Sequence, residues 1–302
     1  MILIGLPLIA LFAISLGGYL SSEILKCLYN KRAIGTVASY KYTAIVSAAC
    51  ALSLVLLSGF AFPFSYFSVL LGLLFGIAVM GHICASSVAI QVGPWSYTSV
   101  MVSLAIVIPA FSGAVIWNEP LSWLDFVGVA FMVACLILSV KKDEENKKAN
   151  IKWLLLCILA MSCMAGIGLL QKTHQSSAHK AEVTVFLITA FLFSAVCASV
   201  LYFIGKRKAV KTEAASNETV GKPLGRKVYF LMAGAGLATA LNHSINLYLS
   251  GALNSVVFFP IMCGCELIGV TLASLLLFKE RLSHRQWIGF ACGAVAVLLL
   301  CI

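Results

Sequence analysis

The sequence predicts an all-α polytopic membrane protein of ten transmembrane helices arranged as two inverted five-helix repeats, and three observations carry that expectation. The first is composition: 61% of the 302 residues are hydrophobic and 11% are charged, whereas soluble domains carry roughly 25% charged residues. The second is the shape of the apolar runs. They are continuous over the ~20 residues a helix needs to cross hydrocarbon, with none of the apolar/polar alternation of a membrane β-barrel. The third is an internal likeness. "NEPLSWLDFVGVA" from Asn118 returns as "KERLSHRQWIGFA" from Lys279, 161 residues later, pairing Glu119 with Glu280, Ser122 with Ser283 and Gly128 with Gly289.

In chain order, the first apolar run begins near Ile2. No Lys or Arg precedes it and no small-residue cleavage site follows it, so it is expected to be a retained helix rather than a removed signal. Helix 2 begins near Tyr42. Helix 3 begins near Tyr66 and carries Gly72-x-x-x-Gly76, a spacing that permits close helix contact. Helix 4 is expected from Ser96, with Pro109 able to kink it, and helix 5 from Leu121. "KKDEENKKANIK", from Lys141 to Lys152, is too polar to enter a bilayer. It divides the chain into a first repeat over 1–140, a cytoplasmic linker over 141–150 and a second repeat over 151–302. In the second repeat the runs begin near Ile151, Val183, Val228, Ala252 and Arg285, with a second solvated linker from Lys206 to Lys227 and a proline, Pro260, early in helix 9.

The net charge of +10 is a matter of topology rather than of nucleic acid. Odd-numbered connections, with Lys41, hold 19 of the 21 basic residues, and Lys172 and Lys180 are the two assigned to even ones. The positive-inside rule then places the odd connections in the cytoplasm and both termini outside, in an integral protein of the plasma membrane. All five Trp fall near predicted helix ends, as an interfacial belt requires. The eleven cysteines are scattered through apolar segments without ligand spacing, so neither a metal site, a cofactor nor a disulfide framework is expected. A phosphate-binding Gly-Lys-Ser/Thr loop is also missing, which excludes ATP-driven pumping by this chain alone.

Five helices per copy is an odd number, so the two copies must cross the membrane with opposite orientation, an architecture of transporters. Two halves that each end in a Glu-x-Leu-Ser turn followed by a Gly-bearing helix resemble the EamA-type members of the drug/metabolite transporter (DMT) superfamily. "KERLSHRQWIG" fits that pattern, while "NEPLSWLDFVG" departs from it at Pro120. The resemblance covers essentially the whole chain. It implies a central cavity lined by helices 1, 3, 4, 6, 8 and 9 and transport by alternating access.

Ionisable and polar groups inside a bilayer are costly and need a reason. Glu266 lies near the middle of helix 9 where its counterpart in the first repeat is Ala105, so duplication does not account for it. A carboxylate there is expected to carry a proton or to attract a substrate ammonium; the plainer reading is a protonated Glu bonded to a neighbouring helix. On helix 8, Thr239, Asn242, His243 and Asn246 share one face, suited to lining a cavity or to bonding helix to helix. His82 and Ser86 on helix 3, and Ser99 and Ser103 on helix 4, complete the candidate set for substrate binding or coupling. Glu119 and Glu280 read instead as helix-junction residues, bonded locally with Ser122 and Ser283. With Lys172 assigned to a connection, no cation lies deep in a span, which disfavours phosphorylated substrates.

These features point to a secondary transporter that exports small polar metabolites such as amino acids or amines, coupled to protons through Glu266. Its partners are then a small-molecule substrate, protons and membrane lipid, not nucleic acid. Two alternatives differ in class. An intramembrane enzyme acting on lipid-like substrates needs a catalytic cluster, and the chain's two Asp, Asp125 and Asp143, both lie outside the deep membrane. A non-transporting scaffold gains nothing from polar groups at the midplane.

Overall fold

The computed structural model describes residues 2–30, 36–60, 63–92, 98, 101–139, 150–216, 226–278 and 283–300. Within them the chain is helical, with a short 3-10 turn that follows further helical residues at 98 and 101–103, and with no strand. The helices are α1 (Ile2–Asn30), α2 (Thr36–Leu57), α3 (Tyr66–Val92), α4 (Val107–Ile116, entered through the 3-10 turn Leu104–Ile106) and α5 (Trp123–Ser139). The second half follows with α6 (Ile151–Gln175), α7 (Val183–Ser216), α8 (Arg226–Ala252), α9 (Ser255–Phe278) and α10 (His284–Leu300). The stretches Val37–Leu57, Tyr66–Val92, Ile151–Gln175, Val183–Arg207 and Arg226–Ala252 are long and apolar enough to cross a membrane. Exposed Leu, Ile and Phe along their outer faces fit lipid as their surroundings.

Two compact units are formed. One combines Met1–Phe12, Gly81–Ala181 and Asn246–Ile302, and the other combines Ala13–Met80 with Glu182–Ile245. The units do not follow the halves of the sequence, because each takes segments from both. Two of the dividing points, Met80/Gly81 in α3 and Ile245/Asn246 in α8, are separated by nearly the repeat distance.

In the first unit α5 lies along α10, and the pairing is antiparallel. Gly128, early in α5, meets Leu300 at the end of α10; Met132 and Cys135 pack with Ala296 and Cys292; and Arg285, at the start of α10, donates to the carbonyl of Ile137 near the end of α5 at 3.0 Å. An added Cβ at Gly128 would lie 2.7 Å from Leu300 Cγ, so a larger residue there would have to displace the Leu300 side chain.

The repeated motif starts both helices in the same way. The Ser122 N–H donates to Asp125 Oδ2 and the Leu124 N–H to Ser122 Oγ. At the other copy the Ser283 N–H donates to Gln286 Oε1 and the Gln286 N–H to Ser283 Oγ. Each is a reciprocal cap that satisfies helix-start donors lacking intrahelical partners. The helices so begun span 123–139 and 284–300, offset by the same 161 residues as the motif.

In the second unit α8 packs on α1 and α2 through small residues. Gly18 lets the Ala238 carbonyl approach, and Gly236 lies against Ala49 and Cys50. Gly72 and Gly76 of α3 press on α7 at Phe186 and Ala190, so the Gly-x-x-x-Gly spacing serves a contact inside the chain. Lys41 of α2 donates to the Tyr229 hydroxyl of α8 at 2.8 Å.

Candidate functional site

The polar residues of α8 divide among different neighbours. Asn242 is buried and donates to the Ser15 carbonyl at 2.9 Å and to Ser15 Oγ at 3.0 Å. Thr239 bonds the Ala235 carbonyl of its own helix and meets Ser22 Oγ of α1 at 3.1 Å. These two fasten α8 to α1, the helix-to-helix use of such a stripe. His243 turns elsewhere: its ring lies edge-on to Phe75 of α3 at 6.1 Å and tilted against Phe191 of α7 at 5.0 Å. Asn246, half-buried in the other unit, precedes Ser250 by one turn of α8.

On α3, His82 Nδ1 stands 3.4 Å from the Ala160 carbonyl of α6, and the Ser86 hydroxyl donates back to the His82 carbonyl at 2.6 Å. Ser86 is therefore occupied by its own helix. Ser103 is half-buried just before the 3-10 turn leading into α4 and makes no side-chain cap there. Glu266 is half-buried on α9, two residues beyond Gly264, where the helix comes close to Met132 of α5. Ser99 and Glu280 lie outside the described residues.

One buried ion pair was not revealed by spacing. Lys172, expected in a connection, belongs to the last turn of α6 and is buried. Its ammonium is 2.6 Å from Glu119 Oε1, and the two side chains are 6% and 12% exposed. The same ammonium donates to the Ser250 and Leu253 carbonyls, each at 2.9 Å, so all three of its N–H groups are used. Glu119 Oε2 accepts the Ser255 backbone N–H at 2.6 Å. Glu119 is thus bonded across the fold rather than to Ser122, which corrects the expectation of a local pairing.

Helix ends explain the arrangement. Ser250 and Leu253 supply carbonyls at the C-terminal end of α8, where partial negative charge collects, and Ser255 supplies an N–H at the positive start of α9. Lys172 complements the first end, Glu119 the second, and the two charges complement each other. Local backbone delivers Glu119 to that point. After α4 the chain turns with Asn118 at φ 54, a conformation Asn tolerates, and the Glu119 N–H returns to the Gly113 carbonyl at 3.1 Å. A Cβ at Gly113 would collide with Glu119 Oε2 and lie 2.7 Å from Ser255 Cβ. Only glycine leaves room for this carboxylate.

Two polar atoms of this region are unsatisfied. Gln171 Nε2 and Ser255 Oγ are buried without a hydrogen-bond partner. Gly168, Gln171 and Lys172 share a face of α6 by helical spacing, and Gly168 packs against Pro109 of α4 and Phe259 of α9. Ser255 precedes Phe259 by one turn on α9.

The opposite end of α6 is held by neutral bonds. The Asn150 side chain caps the helix at the Trp153 N–H and donates to the Val92 carbonyl, while the Trp153 indole N–H donates to Thr98 Oγ1 at 2.8 Å. Trp153 is buried among Ala89 and Cys157, so protein rather than a lipid interface accommodates it. Trp123 and Trp287 are exposed at helix starts.

No known family's profile matches the chain, and no curated protein matches it. Solved structures share its fold. One, described as the crystal structure of a protein, superposes with a TM-score of 0.74 at 11% sequence identity and covers 96% of each chain. At that identity the likeness concerns the fold.

Proposed function

We propose that the chain is a secondary active transporter that exports small polar metabolites, amino acids or amines among them, by alternating access across the plasma membrane. In this reading the protein is an EamA-type member of the drug/metabolite transporter superfamily with ten membrane spans in two inverted repeats. One observation carries it: α5 and α10, equivalent helices started by equivalent caps, run antiparallel. Two copies of a unit in opposite orientation can exchange conformations, so that an opening on one side becomes an opening on the other.

The polar groups support a solute path. Glu266 lies in an otherwise apolar helix and Asn246 on the polar face of α8, where polar side chains carry a cost that function justifies. Glu266 takes the coupling role, as a carboxylate able to exchange a proton or pair with an ammonium. Lys172 does not alter the substrate class. Its charge is neutralised by Glu119 and its donors are used, so neutral, zwitterionic and cationic solutes still fit better than phosphates.

The test is flux of radiolabelled amino acids and amines from proteoliposomes under an imposed pH gradient. The wild-type protein should show saturable efflux that responds to the gradient, and Glu266→Gln should carry the solute without that response. An unaltered pH response in the variant removes Glu266 from coupling.

A further inference from the structure

We propose that the Glu119–Lys172 pair is a conformational latch that holds the α4–α5, α6–α7 and α8–α9 connections together in one state of the protein and releases them in another. The inference rests on the transport reading, since a protein that cycles between two states needs such a release.

All three connections are even-numbered, so by the charge count they share the side of the membrane away from the basic loops. Lys172 alone reaches two of them and the end of its own helix, through Glu119 and through the Ser250 and Leu253 carbonyls. Glu119 closes the circuit at Ser255. At the Asn150 end of α6 the described contacts are neutral hydrogen bonds, to the Val92 carbonyl and to Thr98 Oγ1.

The closed arrangement is well made at the ion pair and incomplete beside it. Gln171 Nε2 and Ser255 Oγ are buried donors with no acceptor, a condition native structures rarely tolerate without a reason. Release would let water satisfy both while hydrating the two charges. That gain offsets the loss of the Coulomb attraction and the helix-end bonds, and so brings the closed and open states nearer in free energy. The backbone leaves helical geometry on both sides of the pair. Asn118 is at positive φ, and the two-residue link Leu253–Asn254 between α8 and α9 is non-helical and follows Gly251, where an added Cβ would lie 3.0 Å from Gln175 Cβ.

Ser255 supplies a reporter, because its hydroxyl makes no hydrogen bond that a thiol would forfeit. Ser255→Cys protein would be treated with a membrane-impermeant maleimide in proteoliposomes, with modification read peptide by peptide so that native cysteines are resolved. Cys157 and Cys50, both 0% exposed, report on general unfolding. With the pair intact, labelling at position 255 should be slow. In Glu119→Gln and in Lys172→Met backgrounds it should rise about tenfold or more, as loss of a buried ion pair allows, while Cys157 and Cys50 stay protected. An unchanged rate at 255 overturns the latch, and so does a parallel rise at all three positions, which would make the pair a structural staple. Labelling is independent of flux. A selective rise without measurable transport would sustain the latch and sink the transport reading, and robust transport with an unresponsive position 255 would do the reverse.

Discussion

Lys172 is an ammonium among apolar helices, and its burial is tolerated because each of its three protons meets an oxygen. Removing one member of such a pair leaves the other charged, buried and unpaired, which costs about 3–5 kcal/mol, whereas removing both charges costs far less. Lys172→Met should therefore lower thermal stability more than the double variant Lys172→Met/Glu119→Gln does; a double variant less stable than the single would show that the charges are not coupled. The pair was hidden in the sequence. Glu119 looked like a junction residue and Lys172 like a loop cation, because their meeting depends on Gly113 and on the α8–α9 corner, which are remote in sequence from Lys172. The candidate residues on α8 were legible as a polar face. Their partners were not, since Ser15, Ser22, Phe75 and Phe191 lie on other helices.

Helices were easier to read than side-chain contacts. Long apolar runs bounded by polar loops leave the backbone one way to satisfy itself in hydrocarbon, and the helices begin close to where hydropathy rises. Helix 4 is the instructive departure. Hydropathy starts it at Ser96, and helix is present at Thr98 and over 101–103, but the 3-10 turn Leu104–Ile106 interrupts it before it resumes at Val107, ahead of the buried Pro109 that packs on Gly168. The duplicated Glu-x-Leu-Ser motif pointed to equivalent helix junctions, and its serines are the part that acts alike in both copies. Ser122→Ala and Ser283→Ala should each cost about 1 kcal/mol, the usual worth of a helix cap. Chemical denaturation of the two variants checks this, and a large loss from one with none from the other would deny the equivalence of the two starts.

For the molecule as a whole, each compact unit gathers segments from both halves of the chain. The recurring motif was visible in sequence, yet this interleaving was not, because it is set by which helices pack rather than by order along the chain. Antiparallel α5 and α10 are what an inverted duplication produces, and alternating access is what such a duplication is suited to perform. Counterflow in proteoliposomes tests that claim most directly. Vesicles loaded with an unlabelled solute that the protein carries should take up the same solute, labelled, faster than empty vesicles and transiently above equilibrium, because a carrier returns loaded. Uptake equal in loaded and empty vesicles, for every amino acid and amine tried, would contradict alternating access and with it the proposed transport function.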